Sequence, residues 1–444
     1  MNRNLTKREL LRPAAAASVP ALLAACGAGD ASTGTGAGGG QAAPVAAPTL
    51  RRTVTLQWMH GVDTPAHNDA RDQQIAAFKQ ATGIGVEHQS LPDFAAKLQA
   101  AFAAGTPPDL YPTRATTLTS EATLKQAQPL DDLIKRDRFA LTDFYPASIE
   151  QYRVQGKLSA LPYDFPNRSY FANMTAFQDA GIKLPPTTYK DDTWTWDVFR
   201  TSMEGLQRRV GPNGGWALDA GRDAIRSWMA WVWNNGGDFL SRDGKEVVLN
   251  QPAGVEALTF LQDMIHRHRF APTQEQRGNV RQNFVQGKIL LYESGQPDVG
   301  ALRREVGTNF TWDVVPLPKG KGLRAASGGG SAYAAGSNKQ MEETWAFFKH
   351  IMSKPMQEIF MKATGAMVGL KSLVESPTFL ESPPAHMSLF VEGATVLRGD
   401  PTAVRWNEVQ TVLNEQLARL WTNAAQPKDV ADTIKLQVDP LLKV

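Results

Sequence analysis

Near the start of the chain, apolar residues recur first at the spacing of a strand and then at that of a helix. The run RRTVTLQWMHG alternates β-branched or apolar residues with polar ones, which predicts a strand ending at Gly61. In NDARDQQIAAFKQATG, Ile75, Phe78 and Ala81 lie at helical spacing, which predicts a helix that stops at Gly83. The following run, IGVEHQ, predicts the next strand.

The same alternation of strand and helix then continues. DFAAKLQAAFAAG places Phe94, Leu98 and Phe102 on one helical face, and PDLYP predicts a short strand. Strands that alternate with helices predict an α/β domain with a mostly parallel sheet flanked by helices. Ligands bind such sheets beyond the carboxyl ends of the strands, so WMHG and LYPTR are expected at a binding rim.

The rest of the chain is rich in tryptophan and in helical patterns. KILLYES and TWDVVPLP predict two further strands. The sequence TWD predicts a helix start with Thr195 as its cap, so Trp194 and Trp196 are interpreted as structural. Two long helices are predicted from apolar stripes, formed by Val255, Leu258, Leu261 and Ile265 and by Val409, Leu413, Leu417 and Leu420.

The only cysteine, Cys26, ends the run LLAAC behind a basic start and a short apolar stretch. That stretch is too short to span a bilayer comfortably and ends in small residues, as in a secretory signal peptide. LLAAC resembles the lipobox of bacterial lipoproteins, which implies a signal peptide at 1–25 and lipidation of Cys26. Residues 26–50 are rich in Gly, Ala, Ser, Thr and Pro, which predicts a flexible linker.

The charge of the chain and the motifs it lacks argue against several classes of function. The chain has 47 basic and 44 acidic residues, and removing the four basic and one acidic residues of 1–25 leaves 43 of each. A near-neutral mature chain argues against a nucleic-acid partner. A secreted chain with one cysteine forms no intramolecular disulfide, so its stability depends on its core. No HExxH, Walker loop or nucleophile elbow occurs, so we predict no catalytic residues, no metal site and no cofactor.

Several segments together resemble the family 1 extracellular solute-binding proteins, the receptors of ABC importers for maltose, multiple sugars and glycerol phosphate. The resemblance covers the chain from about residue 52 to its end. In order, the segments are FKQATGIGVEHQ, AAGTPPDLY, GKLSALPYD, VVLNQPAGVEALTFL, FVQGKILLY, WDVVPLPKGKG, SGGGSAYAAGSNK and TWAFFKHIMSKPMQEIF.

This resemblance implies an α/β, type II-like periplasmic-binding-protein fold of two lobes. Each lobe is expected to have a mostly parallel sheet flanked by helices, and three hinge crossings are expected to join the lobes. We expect lobe 1 at 51–161 and 297–353, and lobe 2 at 162–296 and 354–444. The crossings are expected at Ala160–Asp164, Ser294–Pro297 and Ile351–Pro355. The implied partners are a small solute, favoured as a saccharide, and the permease subunits of an ABC transporter. The implied state is a monomer held by a lipid anchor at the outer face of the cytoplasmic membrane, or in the periplasm.

The expected ligand contacts follow from the resemblance and from saccharide chemistry, which needs aromatic faces and polar or charged side chains. Trp406 resembles a position where an aromatic residue of the second lobe stacks on the sugar. The other expected contacts are His60, Asp63 and Arg114 after the first strands, Tyr163 and Asp164 at the first crossing, Trp228 and Trp231, Gln296, and Gly329 and Ser331 of the GGGS segment. Gln296 stands where relatives often have a stacking tryptophan.

Two other functions stay open at this point. One is a membrane-tethered glycoside hydrolase, which would need two carboxylates flanking one bond, and Asp164 and Glu293 are the candidates. The other is a scaffold or adhesin that kept the fold and lost its ligand. A hydrolase would cleave its ligand, whereas a scaffold would bind no small solute.

Overall fold

The structure is a computed structural model that describes residue 50 and residues 53–222, 225–322, 324–337 and 339–443. The predicted signal peptide, Cys26 and all of the predicted linker except residue 50 lie outside the described residues. Within the described part of the chain, no helix is long and apolar enough to cross a membrane.

Strands and helices are numbered in chain order. The strands are β1 (Thr55–Gly61), β2 (Gly85–Leu91), β3 (Leu110–Thr113), β4 (Arg153–Val154), β5 (Lys157–Leu158), β6 (Leu161–Pro162), β7 (Arg168–Asn173), β8 (Trp216–Leu218), β9 (Ile289–Gly295), β10 (Trp312–Val315), β11 (Ala326–Ser327), β12 (Ala332–Ala335) and β13 (Leu397–Arg398). The helices are α1 (Pro65–Thr82), α2 (Phe94–Ala103), α3 (Ala115–Thr123), α4 (Asp131–Asp137), α5 (Pro146–Glu150), α6 (Met174–Asp179), α7 (Trp196–Val210), α8 (Ile225–Asn234), α9 (Pro252–His266), α10 (Val280–Val285), α11 (Val299–Val306), α12 (Met341–Ile351), α13 (Lys354–Thr364), α14 (Lys371–Val374), α15 (Ser388–Thr395), α16 (Trp406–Trp421) and α17 (Pro427–Val438).

The first lobe is built on a sheet with strand order β2-β1-β3-β12-β6. β1 pairs in parallel with β2 and with β3, as the alternation of strand and helix predicted. α1 ends at Gly83, which adopts a left-handed φ of 79° that glycine tolerates without strain. The carboxyl ends of β1 and β3 therefore lie at one edge of the sheet, where Gly61 ends β1 and Arg114 follows β3.

The second lobe contains a sheet with strand order β10-β7-β9-β8. Only β8 and β9 are parallel, whereas β7 is antiparallel to both of its neighbours. The expectation of a mostly parallel sheet in each lobe is therefore wrong for this lobe. It holds only in part for the first lobe, where β12 is antiparallel to β3 and to β6. A parallel sheet follows from unbroken strand–helix–strand units, but β9 and β10 join β7 from distant parts of the chain.

The predicted lobe boundaries differ from the observed pairing and packing in two places. β10 was assigned to lobe 1 but pairs with β7 in the second sheet. α13 was assigned to lobe 2 but packs on α1 of the first lobe, as α12 does. The chain thus returns to the first sheet between β10 and β12. It passes to the second core between Leu397 and Trp406, not at Ile351–Pro355.

Each sheet is covered by a hydrophobic core. The buried hydrophobic side chains form two clusters, of which the first contains the core of the first sheet. Along β7, Phe171 belongs to the first cluster, whereas its neighbours Tyr170 and Ala172 belong to the second. All three side chains are buried, so both faces of this sheet are covered. The predicted helix start at Thr195 is confirmed, because the Thr195 side chain accepts a hydrogen bond from the Val198 amide at 3.4 Å.

Candidate interlobe binding site

Two cavities lie between the carboxyl ends of the first-sheet strands and helix α16. One, the α16 cavity, has a volume of about 740 Å³ and follows α16 from Trp406 to Thr422. The other, the α2 cavity, has a volume of about 700 Å³ and is lined by α2 and by the segment after β1. Both are lined by Arg114, Thr116, Thr117 and Trp406, so they form two ends of one cleft. A third cavity of about 690 Å³, between α7 and α9, contains none of the predicted ligand contacts.

The first lobe contributes side chains that directly follow β1 and β3. Asp63 lines the α2 cavity and is held by the buried Arg71, with 2.6 Å between Oδ2 and Nη2. Arg71 in turn lies over the Trp58 ring, 5.7 Å from its centre. Arg114 is exposed at the start of α3, where its backbone amide donates to the Thr117 hydroxyl at 3.3 Å. The parallel pairing of β1 and β3 therefore brings Asp63 and Arg114 to the same cleft.

The first crossing and the glycine segment at 328–330 form the floor between the lobes. The Tyr163 ring lines the α2 cavity and stacks on Tyr333, with ring centres 4.2 Å apart. Ser331 lines the same cavity, and its carbonyl accepts the Tyr163 amide at 3.1 Å. At Gly330, an added Cβ would lie 1.8 Å from the Asp164 carbonyl oxygen, so only glycine allows this approach.

The second lobe contributes aromatic side chains to the α16 cavity. Trp406 begins α16 and is only 6% exposed, with its ring edge-on to Phe239 at 6.5 Å. Trp228 of α8 is 2% exposed and lines the same cavity, as does Trp421 at the other end of α16. These rings supply the flat apolar surfaces that a saccharide or polyol needs.

Two partly buried ion pairs fix arginines at the second-lobe wall. Arg168 contacts Glu293 through two bonds, from Nε to Oε1 at 2.6 Å and from Nη2 to Oε2 at 2.8 Å. Arg226 contacts Asp400 at 2.6 Å, and its Nη1 donates to the Gly329 carbonyl at 2.7 Å. Such paired geometry holds a guanidinium in one orientation. Arg226 thereby ties α8 to the glycine segment.

Sequence reasoning missed part of this wall. Arg168, Arg222 and Asp400 were not predicted, nor were Gln410 and Asn414. The last two were detectable, since Trp406, Gln410 and Asn414 recur every four residues and share one face of α16. The predicted apolar stripe of that helix includes Val409, which belongs to the core face.

A family model described as bacterial extracellular solute-binding protein matches residues 73–387, well over half of the chain. The chain belongs to this family. The resemblance drawn from the sequence segments is thus confirmed at the level of the family.

Individual relatives of this solute-binding protein are distant. It is 23% identical over 325 residues to a binding protein of Brucella abortus (strain 2308), covering 71% of this chain and 75% of that one. It is 22% identical over 368 residues to the sn-glycerol-3-phosphate-binding periplasmic protein UgpB of Shigella dysenteriae serotype 1 (strain Sd197), covering 78% and 82%. The sugar-binding protein MalE of Xanthomonas citri matches with a TM-score of 0.77 and 22% identity, covering 87% of this chain and 97% of that one. The two-lobe fold is confirmed by this likeness.

Five predicted contacts of the solute-binding protein are not among the described residues that line either cavity: His60, Asp164, Trp231, Gln296 and Gly329. Trp231 is fully buried among Phe199, Phe260 and Trp196, so its prediction as a ligand contact is wrong. Gln296 is buried and bridges a turn, donating to the Gly365 carbonyl at 2.9 Å and accepting the Met367 amide at 3.1 Å. Its side chain is therefore structural.

His60 is also interior. It is 1% exposed, with Nδ1 2.8 Å from the Gly61 carbonyl and Nε2 3.1 Å from Nδ1 of His88. Burial is the main cause that lowers the pKa of His60 to about 4, with the Arg71 charge contributing. A neutral His60 supports the Gly61 turn from behind the cleft rather than facing a solute.

The two carboxylates that a hydrolase would need are both engaged. Glu293 is buried behind Arg168, and Asp164 accepts the backbone amide of Ser331. Neither is among the described residues that line the α2 or the α16 cavity. Asp164 and Glu293 therefore do not form the pair of carboxyl groups that was considered for a hydrolase.

Ionisation of the Asp164 carboxyl is expected to lower the stability of the folded protein. Burial raises the pKa of Asp164 to about 6 from its usual 3.8, although the Ser331 amide and the Arg114 charge oppose this. The folded protein then binds the Asp164 proton more tightly than the unfolded chain does between about pH 4 and pH 6. The free energy of unfolding therefore falls as the pH rises through this window, because Asp164 ionises. The full destabilisation is present above pH 6.

We therefore expect Asp164→Asn to be more stable than the parent protein at pH 7, by about 3 kcal/mol. Asparagine keeps an oxygen that accepts the Ser331 amide but cannot ionise. Urea unfolding at several pH values checks this, because the advantage of the variant should grow from pH 4 to pH 6 and then level off. Parallel stability curves for parent and variant across that range would contradict the assignment.

Proposed function

We propose that this protein is the extracytoplasmic solute-binding component of an ABC importer and captures a carbohydrate or related polar solute between its lobes. The observation that carries the proposal is the cleft itself, to which both lobes contribute aromatic and hydrogen-bonding side chains, with Trp406 at the junction of its two ends. A solute that contacts both lobes favours the closed arrangement, because those contacts are absent when the lobes separate. A membrane permease then accepts the solute from the closed form.

We infer that the protein binds its solute without converting it. The engaged states of Asp164 and Glu293 support this, as does the membership of a solute-binding family. The relatives are described as a sugar-binding protein and an sn-glycerol-3-phosphate-binding protein, which supports a hydroxylated solute here. A monomer suffices for this role, since one chain provides both walls of the cleft.

A thermal-shift screen of the full chain tests the proposal. The panel contains mono- and oligosaccharides, polyols, glycerophosphodiesters and amino acids. A solute present at a hundred times its dissociation constant should stabilise the folded protein by about 2.7 kcal/mol. A saturable shift with the solute recovered intact supports a binding protein, whereas cleaved solute indicates a hydrolase. No shift with any solute would favour the scaffold.

We also propose that Cys26 is lipidated and holds the mature chain at the outer face of the cytoplasmic membrane, with 26–50 as a tether. The LLAAC motif and the low apolar content of the following residues support this. A tether of this composition separates a folded body from its anchor without fixing its orientation.

We expect Cys26→Ser to move the protein from the membrane fraction to the soluble fraction, because the thiol that receives the lipid is lost. Fractionation of cells followed by immunodetection measures this. Ser32→Ala, a substitution in the same tether, is the matched control and should stay with the membrane. Retention of Cys26→Ser at the membrane would exclude the lipid anchor.

A further inference from the structure

Two chain segments that run between the lobes lie side by side and then separate. β11 pairs in parallel with β13, with Ser327 opposite Arg398. The same register places Gly329 opposite Asp400. Beyond this point one segment enters β12 of the first sheet, whereas the other leads to α16 of the second lobe. We call positions 329 and 400, where the two segments separate, the branch point.

Arg226 of α8 binds both members of the branch point. Its Nε donates to the two carboxylate oxygens of Asp400 at 3.0 and 2.8 Å, and its Nη2 lies 2.6 Å from Oδ2 of the same residue. Its Nη1 donates to the Gly329 carbonyl at 2.7 Å. The donors of a guanidinium are fixed relative to one another in one plane, so these bonds set the position of both segments relative to α8.

The first lobe binds the next peptide of the same segment. The Tyr152 hydroxyl donates to the Gly330 carbonyl at 2.9 Å, and Tyr152 is fully buried in the first hydrophobic cluster. The successive carbonyls of Gly329 and Gly330 are therefore bound by side chains of different lobes. A rotation of one lobe against the other is expected to be absorbed between them, where the chain has three consecutive glycines at 328–330.

Backbone contacts join this segment to the first crossing. Asn167 forms an isolated antiparallel bridge with Gly328, and the Gly329 amide donates to the Pro166 carbonyl at 3.2 Å. These contacts hold the crossings against one another, but they do not connect them to a helix of the second lobe. Arg226 makes that connection, because it projects from α8, whose buried residues belong to the second hydrophobic cluster.

We propose that Arg226 is a positioning residue for lobe closure, which fixes the pivot of the hinge at Gly329–Gly330 by binding both members of the branch point to α8. This inference rests on the proposed function in one respect, because it takes the two lobes to move relative to each other. Without the Arg226 side chain the crossings keep their mutual pairing but lose their connection to the second lobe. The lobes should then sample a wider range of separations.

Distances between nitroxide labels in the solute-free full chain test the inference. Leu124 follows α3 in the first lobe and Leu436 lies on α17 in the second, and both side chains are exposed. Leu124→Cys and Leu436→Cys are introduced together with Cys26→Ser, so that only the two new cysteines carry labels. Arg226→Gln should give a broader distribution of label distances than the parent. Arg226 also lines the α16 cavity, but no solute is present, so a direct contact with solute cannot produce this result.

Two controls separate a loosened pivot from a general loss of stability. A second label pair, Leu184→Cys with Leu436→Cys, lies within the second lobe, and its distance distribution should be the same in Arg226→Gln and in the parent. Arg209→Gln breaks an exposed ion pair between α7 and Asp179, at 2.6 Å, and should leave both label pairs unchanged.

The double variant Arg226→Gln/Asp400→Asn tests whether the two side chains act as one unit. Its distribution should be no broader than that of Arg226→Gln alone, because the second substitution removes a partner that is already lost. It also removes the carboxylate charge that Arg226→Gln leaves unpaired, so it provides a second measurement if the single variant does not fold.

The outcomes are distinguishable from those of the proposed function. If the distances between the lobes are distributed as in the parent, or if the pair within the second lobe broadens to the same extent, the inference is overturned. The thermal-shift screen tests solute binding separately, whatever the width of these distributions. A protein that binds a solute in that screen but shows no effect of Arg226→Gln on the label distances keeps the proposed function and loses the assigned pivot.

Discussion

Replacing Trp231 with alanine is expected to lower the free energy of unfolding by about 3–5 kcal/mol and to leave the solute affinity of the folded protein unchanged. Trp231 is fully buried on α8 and lies edge-on to Phe199 at 5.5 Å and tilted against Phe260 at 5.4 Å. Truncation removes these contacts and leaves a cavity that the surrounding rings cannot fill. Urea unfolding measures the stability, and titration below the melting temperature measures the affinity.

Trp228→Ala is the matched comparison, because Trp228 lies three residues earlier on the same helix but lines the α16 cavity. Both variants should be less stable than the parent. Only Trp228→Ala should also weaken solute binding. Equal losses of affinity in the two variants would mean that Trp231 acts on the cleft through α8, contrary to its assignment to the core.

These two tryptophans show why a helical pattern was not enough to find the site. Positions 228 and 231 are separated by three residues, so they share a side of α8, and both were predicted to contact the ligand. The helix is buried all around, from Ser227 to Asn234. On such a helix, periodicity gives the direction of a side chain but not what lies in that direction.

The order and type of the main elements were well predicted where local signals were strong. β1, α1, β2, α2 and β3 follow the predicted alternation, and α16 covers the predicted apolar stripe. Caps and periodicity are local properties, so a single sequence reveals them. The lobe boundaries failed at β10 and α13, because pairing with β7 and packing on α1 are decided by residues far away in the chain.

The residues of the candidate site also include some that were predicted and some that were missed. Arg114 was placed at the cleft by a rule for parallel strands and Asp63 by the family resemblance, and both line it. Arg168 and Asp400 were missed, because the second sheet is mostly antiparallel and that rule does not apply to it. Their ion pairs join residues separated by more than a hundred positions, a relation that no motif encodes.

Replacing Trp406 with alanine is expected to weaken solute binding at least tenfold, or about 1.4 kcal/mol. Trp406 lines both cavities, so its ring is the apolar surface that a solute meets whether it extends toward α2 or along α16. Because the side chain is only 6% exposed and packs against Phe239, stability should fall as well. Affinity is therefore measured by titration well below the melting temperature of the variant.

Trp406→Phe and Trp406→Leu separate the two effects. Phenylalanine keeps an aromatic face, whereas leucine restores apolar volume without one, so stacking predicts that the phenylalanine variant binds more tightly although both recover stability. Equal affinities for the two would assign Trp406 a packing role at the start of α16. An alanine variant with unchanged affinity would mean that the solute does not contact the junction of the two cavities, and Trp228 and Trp421 would then be the tryptophans available to it in the α16 cavity.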